Sequence, residues 1–156
     1  MGMKKNIVED ILGKYMCPGL IDGNIHIEST FLSPREFCNV AALHGTSAII
    51  CDPHEIANVW GLKGIDYFLQ STIGLPVKIY IMMPSCVSAT HMEPSGAIIQ
   101  DKDIVEYIDR YPHLVIGLAE MMNYPGVLSL MMIAQFYISL NLKYGIYYTK
   151  IKLLTL

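Results

Sequence analysis

The stretch Thr46-Ser47-Ala48-Ile49-Ile50-Cys51-Asp52-Pro53-His54-Glu55 decides how the fold is read. Its first six residues are β-branched or apolar without alternation, the pattern of a strand buried on both faces. Its last four bring two carboxylates and an imidazole to the point where the strand stops. Polar chemistry at the carboxyl end of a buried strand belongs to parallel α/β architecture, where such ends share one mouth.

Working outward, the same rhythm recurs on both sides. A strand is expected from Gly19 to Ile25. The helix after it opens at Ser33-Pro34-Arg35-Glu36, where Ser33 caps, Pro34 takes the first helical position and Glu36 completes a capping box. Phe37, Val40, Ala41 and Leu43 line one side of that helix, and His44-Gly45 ends it. Downstream, Asn58 to about Ser71 reads as a second helix and Val77 to Met83 as a third strand. Asp101 to Arg110 reads as a third helix and Leu114 to Ala119 as a fourth strand, closed by Glu120. Three strand ends therefore carry ionisable groups: His26 and Glu28; Asp52, His54 and Glu55; and Glu120.

The bulk properties bound this reading. The 156 residues suffice for one domain but fall short of the roughly 250 of a complete eight-stranded barrel. The expected fold is α/β, a partial TIM (β/α) barrel of about four βα units on a parallel sheet. Residues 129–156 add an apolar tail to which the sequence assigns no definite structure. The net charge of -3 and the absence of a Lys/Arg cluster exclude a nucleic-acid partner and favour a small neutral ligand. Cys17, Cys38, Cys51 and Cys86 form no C-x-x-C pair, so neither a disulfide framework nor a zinc ribbon is expected. Met1 to Lys14 lacks the apolar core of a signal peptide, which points to the cytoplasm. The apolar run from Val127 to Leu142 is shorter than the roughly 20 residues of a membrane span and carries polar interruptions, so the reading is against a membrane.

Five ordered segments carry a family resemblance. They are Pro18-Gly19-Leu20-Ile21-Asp22-Gly23-Asn24-Ile25-His26-Ile27-Glu28-Ser29-Thr30; Leu32-Ser33-Pro34; Cys51-Asp52-Pro53-His54-Glu55-Ile56-Ala57-Asn58-Val59; Pro84-Ser85-Cys86-Val87; and Gly117-Leu118-Ala119-Glu120-Met121-Met122-Asn123-Tyr124-Pro125-Gly126-Val127. From about Tyr15 to Leu128 the chain resembles the metal-dependent amidohydrolases, and among them the adenine deaminases. The resemblance implies a pair of divalent metals, manganese or iron. They would activate a water that attacks the amino-bearing carbon of adenine, releasing ammonia and leaving hypoxanthine. Coordination lowers the pKa of water from 15.7 toward about 7, which makes hydroxide available near neutrality.

The resemblance also distributes roles. Glu120 stands where the family places a carboxylate shared between the metals, although a lone glutamate after a strand also caps loops or pairs with lysine. His26 is the imidazole ligand, against the alternative of a hydrogen-bonded core histidine. Glu55 and His54 are the candidate catalytic groups. Asp52, at the same strand end, is read as substrate-binding, and any of Asp52, His54 and Glu55 could instead orient the substrate, hold a ligand side chain in place or bind an additional ion, with a structural turn built by Asp52-Pro53 as a further alternative. Glu28 and Ser29 are placed to bind substrate or a ligand histidine, or to satisfy loop backbone. Ser85 and Cys86 lack a histidine-acid partner at a recognisable spacing and are read as shaping the pocket. His44, His91 and His113 receive no role.

The chain also departs from the family. Two histidines one residue apart would project to the same side of the first strand and grip one metal. Here the first of the two is Asn24, whose neutral amide is a poor transition-metal donor. The ligands that the family draws from the fifth, sixth and eighth strands are not found. Residues 1–14 read as the remnant of a longer N-terminal segment, 15–128 as the partial barrel and 129–156 as a divergent tail. The chain is therefore expected to be inactive alone and to need a complementary chain or a homo-oligomer. The alternatives are a non-catalytic remnant and a membrane-associated or interaction protein that uses the tail.

Overall fold

The computed structural model describes residues 9–90, 92–123 and 147–148. Its elements are β1 (Leu20–Ile25), a 3-10 turn (Ile27–Thr30), α1 (Pro34–Leu43), β2 (Thr46–Cys51), α2 (His54–Trp60), α3 (Leu62–Ser71), β3 (Lys78–Met83), α4 (Asp101–Arg110), β4 (Val115–Leu118) and β5 (Tyr147–Tyr148). The strands lie side by side in chain order and every neighbouring pair is parallel. A parallel sheet wound in sequence order, with helices between its first four strands, is the architecture of a partial (β/α) barrel.

Register explains which residues form the core. Ile49 pairs with Ile79, Cys51 with Ile81, and Ile81 with Val115. Paired residues project to the same face, and these are all buried. They meet Cys38 and Ala41 of α1, Ile65, Phe68 and Leu69 of α3, and Ile104, Tyr107 and Ile108 of α4 in one hydrophobic cluster. At roughly 1.5–3 kcal/mol for each fully buried large apolar side chain, this helix-covered face supplies most of the apolar stabilisation of the fold. On the opposite face Ala48, Ile50 and Tyr80 are only half-buried and Lys78 is exposed. The expectation that Thr46–Cys51 is buried on both faces is corrected accordingly: helices cover one face of β2, and the other is the face that a closed barrel would enclose.

Local chemistry accounts for the element ends. Ser33 Oγ accepts the Glu36 N–H at 3.4 Å and Pro34 occupies the first turn of α1. No bond returns from the Glu36 carboxylate, so the expected capping box is half made. The single helix expected from Asn58 to Ser71 is two helices. Gly61 breaks it with φ +60 and ψ -140, a backbone conformation that L side chains rarely adopt, and a Cβ there would lie 2.7 Å from the Ala97 Cβ. The first of the two begins at His54 because Pro53, which has no N–H to give to a helix, sits at its N-cap. Pro53 brings no capping side chain. Glu28 fills that role from the preceding βα unit, its Oε1 accepting the Ile56 N–H at 3.2 Å.

Four strands were expected, and β5 is an additional one drawn from within 129–156. It pairs Tyr147 with Gly117 and Tyr148 with Leu118. The other residues of that tail, and His91, lie outside the described residues. Among the described residues no helix is long and apolar enough to cross a membrane.

Candidate metal centre at the strand ends

Strand pairing brings the tips of β1 to β4 level. The Asp52 N–H reaches the Ile25 carbonyl at 2.9 Å and the Ala119 N–H reaches the Met83 carbonyl at 2.9 Å. The next residues along, His26, Asp52 and Glu120, consequently converge. One ligand atom from each lies within 4.8 Å of the other two. Asp52 is 1% exposed, whereas His26 and Glu120 are half-buried and line a cavity of about 330 Å³.

Each donor is held by its surroundings. His26 Nδ1 stands 3.1 Å from Glu55 Oε2, an oxygen that can only accept while the carboxylate is ionised, so Nδ1 carries the proton. In the neutral ring this tautomer leaves a lone pair on Nε2, which stands 3.9 Å from Glu120 Oε1. The separation is too long for a hydrogen bond and short enough for two donors to share an ion. Histidine ligands are commonly oriented in this way, by a carboxylate on the other ring nitrogen. Ser29 Oγ donates to Glu55 Oε1 at 3.0 Å and fixes the second oxygen of that carboxylate.

Asp52 is braced from two directions. His54 Nδ1 lies 3.2 and 3.4 Å from its two oxygens, and the Glu120 N–H approaches Oδ2 at 3.4 Å. His54 Nε2 in turn faces the Cys86 carbonyl at 3.2 Å. Both neighbours of the ring are acceptors, so both ring nitrogens donate. Burial alone would lower the pKa of His54, but the hydrogen bonds to Asp52 and Cys86 outweigh it and raise it to about 10. Cys86 closes the network: its Sγ accepts the Met122 N–H at 3.1 Å. Burial pushes that thiol up, and the hydrogen bonds from His54, Met122 and Ser85 more than reverse it, so the net direction is downward.

The residues singled out in the sequence divide into two groups. His26 and Glu120, read as metal ligands, come together. Asp52, read as substrate-binding, is buried beside them as a third donor. Glu55 lines the cavity and is bonded to His26 and Ser29. His54 also lines it, with both ring nitrogens engaged and neither left to exchange a proton with a bound molecule. Glu28 points away to the start of α2. Its Oε2 is buried without a partner, and burial, only partly offset by backbone hydrogen bonds, raises its carboxyl. Ser85 and Cys86 are buried behind the cluster. Asn24 is exposed and stands outside it. Between Asp22 and Ile25 the pairing shifts by one residue against β2, which interrupts the same-side alternation that would relate Asn24 to His26.

Sequence reasoning did not single out Asn58 or Glu93, which also line the cavity. Asn58 could have been found from its spacing, one helical turn beyond His54 and Glu55. Glu93 sits in a connection with no periodicity to place it.

Residues 15–135 match the Amidohydrolase family. The adenine deaminase of Oleidesulfovibrio alaskensis is 60% identical over 116 residues, which cover 74% of this chain and 20% of that protein. The adenine deaminase of Desulfatibacillum aliphaticivorans is 50% identical over 122 residues, covering 78% and 21%. That of Thermosipho africanus is 50% identical over 121 residues, again covering 78% and 21%. The chain spans about a fifth of the length of the curated relatives it matches.

Proposed function

The chain belongs to the Amidohydrolase family, and from that premise we propose that its strand ends form part of a divalent-metal site for the hydrolytic deamination of adenine to hypoxanthine and ammonia. The observation that carries the proposal is the convergence of His26, Asp52 and Glu120 from three separate strand ends, their ligand atoms within 4.8 Å of one another. Members of this family typically bind a divalent metal, and the donor chemistry here fits one: an imidazole nitrogen with its other nitrogen anchored, and two carboxylates. That mixture suits manganese or iron. The relatives named adenine deaminase support adenine as the substrate.

In this reading His26 Nε2, Glu120 and Asp52 would hold the ion. When bound, it supplies hydroxide from water near neutral pH. Glu55, on the cavity wall, orients His26 through Oε2 and is the carboxylate proposed to handle the proton of that water. His54 keeps the Asp52 carboxylate aimed at the cluster, and Ser29 keeps Glu55 in place. His26, Glu120 and Asp52 would supply three donors, and divalent ions of this kind commonly take more. We infer that turnover needs further donors from a complementary chain carrying later barrel strands, or from a second copy of this one, in a cytoplasmic setting.

The test is titration of the purified chain with Mn²⁺, followed by calorimetry. One ion per chain is expected, with affinity reduced at least tenfold in Glu120→Gln and in His26→Ala. Equal affinity in the wild type and both variants would refute the site. Ammonia release from adenine, assayed with a polypeptide carrying the later strands, should vanish in Glu120→Gln.

A further inference from the structure

The polar side chains around the cavity are not equally committed. His26 and Glu120 face each other across the candidate metal position, His54 is engaged by Asp52 and Cys86, and Glu55 is engaged by His26 and Ser29. Asn58 and Glu93 remain: both line the cavity, and neither side chain makes a hydrogen bond among the described residues. Asn58 is half-buried on α2, three residues after Glu55 and four after His54, so the three share one helix face. A half-buried amide with no protein partner is free to bond water or a ligand that displaces it.

Its position is fixed by the segment that follows β3. That segment folds back over α2, and the Gly96 N–H donates to the Asn58 carbonyl at 2.8 Å. The approach is so close that a Cβ on Gly96 would lie 2.2 Å from the Val59 carbonyl oxygen. Ser88 Oγ ties the other end of the lip to the carbonyls of Thr90, at 2.6 Å, and Glu93, at 3.0 Å. Ala89 and Met122 give the same cavity apolar wall for the faces of a flat ring. Asn58 and the lip carrying Glu93 thus add polar groups to the wall of the cavity that His26 and Glu120 also line.

We propose that Asn58 is a specificity-determining residue, whose side-chain amide reads an amino group and the adjacent ring nitrogen of a purine, with Glu93 closing the rim. This rests on the deaminase reading above. A planar amide offers one donor and one acceptor side by side, the complement of an amino N–H next to a bare ring nitrogen. A carboxylate has no donor for the ring nitrogen, and an aliphatic side chain has neither group. Gly96 is a positioning residue, because only glycine lets the lip sit against α2.

The experiment measures binding of adenine and of unsubstituted purine to the full chain with Mn²⁺ present, by equilibrium dialysis. The readout is the ratio of the two affinities, which general damage to the fold does not change. The wild type should prefer adenine by on the order of tenfold or more, the discrimination of one bidentate amide contact. Asn58→Leu and Asn58→Asp should bring the ratio close to one. Gly96→Ala should weaken both ligands and leave the ratio intact. A wild-type preference that persists in both Asn58 variants overturns this inference while purine binding stands. Failure of the wild type to bind either base, with Mn²⁺ bound, overturns the deaminase reading together with it. Wild-type affinities in Gly96→Ala overturn the role of the lip.

Discussion

Replacing Asp52 with asparagine in the metal-free chain isolates the most deeply buried charge of the site. The substitution keeps the shape of a side chain that is 1% exposed. It removes the negative charge facing His54 Nδ1 at 3.2 Å and turns an acceptor of the Glu120 N–H at 3.4 Å into a neutral amide. Breaking one side of a buried pair costs about 3–5 kcal/mol because the surviving charge loses its partner. The pKa of His54 provides a second route to the same figure. A rise from 6.5 to about 10 corresponds to on the order of 5 kcal/mol of preference for the imidazolium in the folded chain. A base whose folded pKa is raised contributes stability that is complete below 6.5 and drains away as pH climbs through about 10. The wild-type apoprotein should therefore lose stability across that window, and Asp52→Asn should flatten the profile. Thermal unfolding in a chelating buffer, repeated from pH 6 to pH 10, reads both effects. At about 2–4 °C per kcal/mol, the midpoint at pH 6 should fall by roughly 10 °C in the variant. A drop of under about 2 °C, or a wild-type midpoint that climbs between pH 7 and pH 10, would refute the pairing of His54 with Asp52.

Other outcomes follow from the same contacts. Excess Mn²⁺ should raise the midpoint of the wild type, since a ligand at about 100 times its Kd adds about 2.7 kcal/mol, and Glu120→Gln should abolish the rise; differential scanning calorimetry with and without the ion decides it. Tyr107→Phe removes a hydroxyl that donates to Asp66 at 2.8 Å and should cost about 1.5–3 kcal/mol in denaturant unfolding. Burial, then the hydrogen bond and charge of Asp66, raise the Tyr107 hydroxyl above its ordinary 10, so its contribution should fade as pH rises past 10 and be missing from the variant. Gly61→Ala places a Cβ 2.7 Å from the Ala97 Cβ on a backbone with φ +60, and should cost about 1–3 kcal/mol by the same measurement.

The sheet was legible because its signals are local. The run of β-branched and small apolar residues in Thr46–Cys51 and the charged turn that opens Asp101–Arg110 produce elements with the very limits read from them. The break at Gly61 was hidden because an isolated glycine inside a helical pattern is usually tolerated, and only its contact with Ala97 shows that the backbone must turn there. Around the site, sequence placed His26, Asp52, His54, Glu55 and Glu120 at strand ends but could not sort them. Whether a carboxylate at a strand tip faces a cation, a histidine or a helix start depends on neighbours about thirty residues away. Glu28 illustrates the point: it sits two residues from His26 yet serves the first turn of α2. Asp52 makes the opposite case, since a charged residue beside a proline reads as a turn until its burial is known.

The arrangement of the cluster is a consequence of register more than of any one ligand. His26, Asp52 and Glu120 converge because Ile25 pairs with Cys51, Cys51 with Ile81, and Met83 with Leu118, which sets the ends of four strands at one height. β3 places no donor in the cluster. It contributes Cys86, just beyond its end, whose carbonyl and sulfur tie His54 and the backbone beyond Glu120 together. A slip of one residue between β1 and β2 would exchange the two faces of β1 and carry His26 away from Glu120. Most of β1 is exposed and does little to oppose such a slip; what opposes it is the end of the strand, where Ile25 packs against the core and Ile27 is fully buried in it. The packing that stabilises the fold is thus also what preforms the donor set, and substitutions in that core should loosen the metal site before they unfold the sheet.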